Sequence, residues 1–160
     1  MIFLSKSEKE TQKLAGNLAL KAIRVAGPVV ITLEGELGAG KTTFVKGFAK
    51  ALGIMSKIKS PTFTLMKKYI ISSSRKFEIL SSKSETNSKF LVHLDCYRVR
   101  DHKDLATLDL KLLFQSPENI VLVEWPERVS KILPKNIIRV HIDHIDKNKR
   151  KISLYNYSNF

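Results

Sequence analysis

Apolar residues along this chain recur in two rhythms. Residues 29–33 (VVITL), 90–95 (FLVHLD) and 120–124 (IVLVE) are short, nearly continuous, β-branched runs, the pattern of strands buried on both faces of a parallel sheet. Elsewhere the spacing lengthens to three and four. Leu14, Leu18, Ala22 and Val25 mark a helix that Ser7 and Glu10 open as a capping box and Gly27-Pro28 closes. Phe44, Phe48 and Leu52, with Val45 and Ala49 beside them, mark a second, and Gly53 is placed to end it in the left-handed region. A third is expected after Asp101 and Asp104, with Leu105, Leu108 and Leu112 on one face and Ser116-Pro117 as its stop.

Shorter signals complete the pattern. Residues 2–4 read as an edge strand. Pro61 forces Ser60 out of helical geometry, and Phe63 and Leu65 alternating with Thr62 and Thr64 predict a half-buried strand. Residues 137–142 and 152–157, joined by a turn over 143–149, predict a C-terminal antiparallel hairpin. Residues 72–89 are serine- and lysine-rich with little to bury, and a flexible insertion or long hairpin loop is expected there.

Between the first buried strand and its helix the chain fits GxxxxGK(S/T) without a mismatch: Gly35, four residues, Gly40, Lys41, Thr42, with Gly38 inside the loop. Glycines let successive backbone N–H groups turn inward as an anion nest, and the helix N-terminus aims its free donors at the same point. Glu36, Leu37, Gly38, Ala39, Gly40, Lys41, Thr42 and Thr43 are therefore the candidate polyphosphate-binding residues. Lys41 can reach the β- and γ-phosphates, and the Thr42 hydroxyl can ligate Mg²⁺. The fold this implies is α/β, a P-loop NTPase-like three-layer sandwich. Its central sheet is largely parallel, with antiparallel strands and a C-terminal hairpin, in a single domain over residues 1–160.

Composition narrows the setting. The 160 residues suffice for a core without disulfides or structural metal. Cys96 is the only cysteine, which excludes an intramolecular disulfide and a cysteine-based zinc site, and no disulfide-linked partner is expected. No apolar run approaches a membrane span and residues 1–6 are no signal peptide, so a soluble, cytoplasmic protein is expected. The formal charge of +13 suits a polyanionic partner such as RNA or a merely solvated basic surface, since the lysines are scattered.

Further candidates lie at strand ends. Asp95 and Glu124 each close a buried apolar run, where such sheets hold Mg²⁺ or its water ligands. One is expected to ligate Mg²⁺, directly or through water, and the other to position the attacking water. Thr62 follows the phosphate-binding helix where nucleotide switches place a γ-phosphate or Mg²⁺ sensor, although threonine is also a good strand former. Trp125 is either core or a stacking surface for a base or a partner.

Four strings, GELGAGKTT at 35–43, SPTFTL at 60–65, HLDCYR at 93–98 and VEWPE at 123–127, in this order and spacing resemble the bacterial TsaE family, also called YjeE, over nearly the whole chain. The resemblance implies an ATPase in the biosynthesis of threonylcarbamoyladenosine, the modified nucleoside of tRNAs reading codons that begin with A. It implies binding of the TsaD transferase, usually with TsaB, contact with tRNA through that complex, and turnover driven by Mg·ATP. Carried onto this chain, it places Lys41 on the phosphates, Thr42 and Glu124 at Mg²⁺, Asp95 as the other essential acid, Thr62 as a switch-like threonine and Trp125 beside the site. Thr11 and Arg150 fall near positions where the family touches nucleotide. No arginine finger is evident within the motifs, so weak hydrolysis alone and faster hydrolysis with partners is expected. The rival readings are a small-molecule P-loop kinase, a GTP-dependent switch, for which no NKxD string is present, and an RNA-binding protein.

Overall fold

The computed structural model describes residues 1–71, 89–100, 102–105 and 108–157. Its seven-stranded sheet has the order β1-β7-β6-β2-β5-β4-β3, with β1 Ile2–Ser5, β2 Val29–Glu34, β3 Met66–Ile70, β4 Phe90–Asp95, β5 Asn119–Glu124, β6 Ile138–His144 and β7 Arg150–Tyr155. The four inner strands β6, β2, β5 and β4 run parallel. β3 pairs antiparallel with β4, β7 with β6, and β1 with β7. The expected insertion lies almost wholly outside the described residues.

The period of two along each buried strand divides the core. Ile31, Leu33, Leu91, Ile120, Leu122, Val140 and Ile142 face α1 (Glu8–Ala22) and α2 (Lys41–Ala51). Val30, Val92, Leu94, Val121 and Val123 face the opposite layer, built from α3 (Leu110–Gln115) and the 3₁₀ turns His102–Leu105 and Pro126–Ile132. Strands covered on both faces need apolar residues at every position, which is why they read as unbroken runs.

α1 opens and α2 closes as expected, whereas α1 stops at Ala22, so Val25 lies beyond its end and Gly27-Pro28 does not terminate it. Ser7 Oγ accepts the Glu10 N–H, while the Glu10 carboxylate reaches back to the Lys6 N–H at 2.7 Å. Gly53 has φ +75; its N–H bonds the Lys50 carbonyl and that of Ile54 the Ala49 carbonyl, the paired bonds of a Schellman motif.

Two expectations are corrected. The strand expected over 62–65 is a turn: the Thr64 N–H closes on the Pro61 carbonyl at 2.9 Å and Leu65 sits at φ +60, so pairing begins only at Met66. Phe63 is 82 % exposed, its ring under the Arg98 guanidinium. The third helix is two short pieces. Asp104 accepts the Arg100 N–H, and the cap of α3 is Asp109, which accepts the Leu112 N–H; Asp101 lies outside the described residues. Leu112 is consequently exposed, while Leu105 and Leu110 are buried. No described helix is long and apolar enough to cross a membrane.

Candidate nucleotide site

Three parallel strands finish level at one edge of the sheet. The register sets Leu33 beside Glu124 and Glu124 beside Asp95. Residues 93, 95 and 124 share the parity of Leu91 and Ile120, so His93, Asp95 and Glu124 face the side on which α2 begins.

The loop from β2 into α2 turns through Gly35, Gly38 and Gly40 at φ +135, +80 and +112, conformations that cost an L side chain strain. Gly35 is doubly constrained, because a Cβ there would stand 2.3 Å from the Ile142 carbonyl oxygen. Gly40 supplies no side-chain cap to α2, so the helix's first donors stay available to an anion.

Lys41 is 5 % exposed. Its Nζ donates to the Gly35 and Glu36 carbonyls at 2.5 and 2.9 Å and lies 4.0 Å from the centre of the Trp125 ring. Burial lowers its pKa, against the opposing pull of Glu124, Asp95, Glu127 and Glu36. Trp125 holds its position at φ +59 and packs on Tyr97 at 5.1 Å between centroids, so its indole is a wall of the site.

The two acids are held differently. Asp95 Oδ2 accepts from the Ser60 and Thr62 hydroxyls, and Oδ1 accepts the Tyr97 N–H at 3.1 Å. Glu124 Oε1 accepts from Nε2 of His93 at 2.8 Å; both residues are buried, and Nδ1 of His93 has no partner. Ser60 and His93 carry no expectation in the sequence reading. The available signals were a serine two residues before Thr62 and a lone polar residue inside the apolar 90–94 run.

A cavity of about 390 Å³ brings together Lys41, Thr42, Thr62, Asp95, Glu124 and Trp125, with Leu37, Gly38, Gly40 and Thr43 on its rim. Thr11 and Arg150 stand outside it. They line a small recess that adjoins it at Gly40 and Thr43, where Arg150 Nε donates to the Ala39 carbonyl at 2.8 Å and Thr11 is tied to Ser5. Ala39 itself is buried in the core, and Glu36 lines a neighbouring cleft.

The residues fit a magnesium-bound polyphosphate. Left-handed glycines leave room where side chains would intrude, the Lys41 ammonium lies against the loop carbonyls, the Thr42 hydroxyl is uncommitted among the described residues, and two buried carboxylates share the cavity. Among the described residues no three His, Cys, Asp or Glu side chains could hold a metal by themselves, which is compatible with Mg²⁺ taken by one or two carboxylates together with phosphate oxygens.

The family model for threonylcarbamoyl adenosine biosynthesis protein TsaE matches residues 5–152. The tRNA threonylcarbamoyladenosine biosynthesis protein TsaE of Aquifex aeolicus is 40% identical over 151 residues, covering 93% of this chain and 91% of that one. The protein of the same name from Bacillus subtilis is 36% identical over 124 residues, 78% and 67% of the two chains. The crystal structure of Bacillus subtilis YdiB superposes with a TM-score of 0.69 at 30% identity, covering 96% of this chain and 83% of that one. With the family model spanning nearly the whole sequence and relatives this similar, the chain belongs to the TsaE family of threonylcarbamoyl adenosine biosynthesis proteins.

Proposed function

We propose that this chain is a Mg²⁺-dependent ATPase that sustains formation of threonylcarbamoyladenosine in tRNAs reading codons that begin with A, by binding and hydrolysing ATP on the TsaD–TsaB complex. The observation that carries the reading is the convergence of Lys41, Thr42, Asp95 and Glu124 on one cavity at the N-terminus of α2. The loop N–H groups bind the phosphates, and Lys41 exchanges its two carbonyl contacts for phosphate oxygens. Thr42 and Glu124 would hold Mg²⁺, because β5 is the immediate neighbour of β2 and only one Glu124 oxygen is engaged. Bound there, Mg²⁺ neutralises charge on the β- and γ-phosphoryl oxygens. Asp95, with both oxygens already accepting hydrogen bonds, orients the attacking water, and the Ser60 and Thr62 hydroxyls register its position. Trp125 and Tyr97 limit water access from the side.

Hydrolysis of ATP measured with and without TsaD and TsaB tests the reading. Slow turnover alone and a rise of at least about tenfold in the complex are expected, since among the described residues Lys41 is the one cation lining the cavity and none is placed as an arginine finger. A rate for the free chain that the partners leave unchanged would exclude it. Lys41→Ala should weaken Mg·ADP by about 100-fold, the worth of one or two charge-assisted hydrogen bonds, as read by calorimetry.

A further inference from the structure

Beside the nucleotide site lies a larger cleft, of about 750 Å³, that the proposed chemistry does not use. It exists because the two sheet faces are covered unequally. α1 and α2 cover one face, whereas on the other the 3₁₀ turn Pro126–Ile132 stops short of β6. Between them, among the described residues, β2 and β6 present a strip of Glu34, Arg139, His141 and Asp143, with Thr32 buried beneath it. This strip is largely self-satisfied. Arg139 forks onto Glu34 at 2.8 and 3.0 Å, and Nε2 of His141 meets Asp143 at 2.9 Å.

Two features are not satisfied from within. Thr32, 1 % exposed, lies beneath the cleft, and its hydroxyl has no hydrogen-bond partner among the described residues. Buried hydroxyls without partners are rare. The charge of the cleft also opposes that of the chain. Its lining holds four carboxylates, Glu34, Glu36, Glu127 and Asp143, against the single guanidinium of Arg139, so with neutral histidines it carries three net negative charges on a protein of +13. Glu36 and Glu127 are exposed at the mouth and unpaired among the described residues. The wall formed by Pro126, Leu133, Pro134 and Ile137 is apolar.

We infer that this cleft docks a segment of the protein partner that carries lysine or arginine beside apolar side chains. The apolar residues pack on the Leu133–Ile137 wall, and a cation meets Glu36 and Glu127. Opposite charges across an interface fix register and suppress wrong partners. RNA and anionic lipid are disfavoured at this face by the same carboxylates. Gly35, Glu36 and Trp125 line the cleft, and Trp125 also lines the nucleotide cavity, so a docked segment would touch the back of the phosphate loop. The inference rests on the partner reading given above.

The test is affinity for the purified TsaD–TsaB complex, with Mg·ADP affinity and thermal unfolding measured alongside. Glu127→Lys with Asp143→Lys should weaken the complex by about 30-fold or more, as expected for two reversed charges at an interface. Leu133→Ser, which trims the half-buried apolar wall, should weaken the complex about three- to tenfold. Wild-type affinity in both variants, with wild-type Mg·ADP binding, would overturn the inference and leave the partner reading intact. Failure of the wild-type chain to bind the complex would overturn both. Loss of tRNA affinity in the charge-reversed variant would instead make this an RNA face and also overturn the inference.

Discussion

His93 shows how much one buried residue can decide. Its Nε2 is the only group bonded to the Glu124 carboxylate among the described side chains, and its own Nδ1 is unsatisfied in the core, a cost of about 1–3 kcal/mol that a purely structural role would not select. Under the proposed reading it is a positioning residue for Glu124. His93→Leu should leave a buried carboxylate unheld, lower kcat about 10- to 100-fold and weaken the Mg²⁺ dependence of ADP binding. His93→Gln, whose amide can reach the same oxygen, should recover most of both. Equal effects of Leu and Gln on these readouts would show that His93 only fills space. Cys96 illustrates the opposite case. Burial, followed by Asp95, Glu127 and Glu124, pushes its thiol up to about 12 from 9.0, so it should resist thiol reagents at pH 8 until the chain is unfolded. The linked stability has a definite sign: the unfolded thiol loses its proton first, so unfolding becomes easier as pH rises from about 9 toward about 12. Urea midpoints across that range check it.

Among the elements, α1 and α2 meet through small residues. A Cβ at Gly47 would lie 2.4 Å from Gln12 Cα and 2.5 Å from its carbonyl oxygen, and one at Gly16 would meet Ala51 Cβ at 3.3 Å. Because the first obstacle is backbone, it cannot turn aside. Gly47→Ala should therefore destabilise by about 1–3 kcal/mol through overpacking, despite a helix-propensity gain of about 1 kcal/mol. Gly27→Ala, with nothing within 4 Å, should be neutral or stabilise by up to about 1 kcal/mol. Urea unfolding of the two variants side by side distinguishes close helix contact from a general intolerance of alanine. The loop before β3 teaches a related lesson. Alternating Thr62, Phe63, Thr64 and Leu65 mimic a strand, but the Ser60 and Thr62 hydroxyls are drawn onto Asp95, and that long-range attachment bends the segment into a turn.

At the level of the whole molecule, the candidate nucleotide site is a junction of α2, β4, β5 and the loop after β2, so under the proposed reading its ligand should act as a clamp. Mg·ADP at about 100 times its dissociation constant adds about 2.7 kcal/mol to folding, which for a chain of this size raises Tm by about 5–10 °C. Differential scanning fluorimetry should register that shift in the wild type and little of it in Lys41→Ala. Charge is distributed unevenly on the same scale: the net +13 surrounds a cleft and a nucleotide site that are both rich in carboxylates. Under the proposed reading, triphosphate is admitted by backbone donors, Lys41 and Mg²⁺, with no general positive field in the cavity.

Local chemistry by itself determined the phosphate loop, the two long helices with their caps and the buried parallel strands. Each depends on residues within a few positions of one another: glycines for left-handed turns, period-two or period-four burial, a capping box at three residues. The strand order was another matter, as were the level ends that set Asp95 beside Glu124 and the pairings of His93 with Glu124 and of Ser60 and Thr62 with Asp95. So too were the backbone contact at Gly47 and the uncovered strip along β6. These join positions tens of residues apart, where no spacing rule operates, and they exist only once the sheet has placed its strands and α2 has closed over one face.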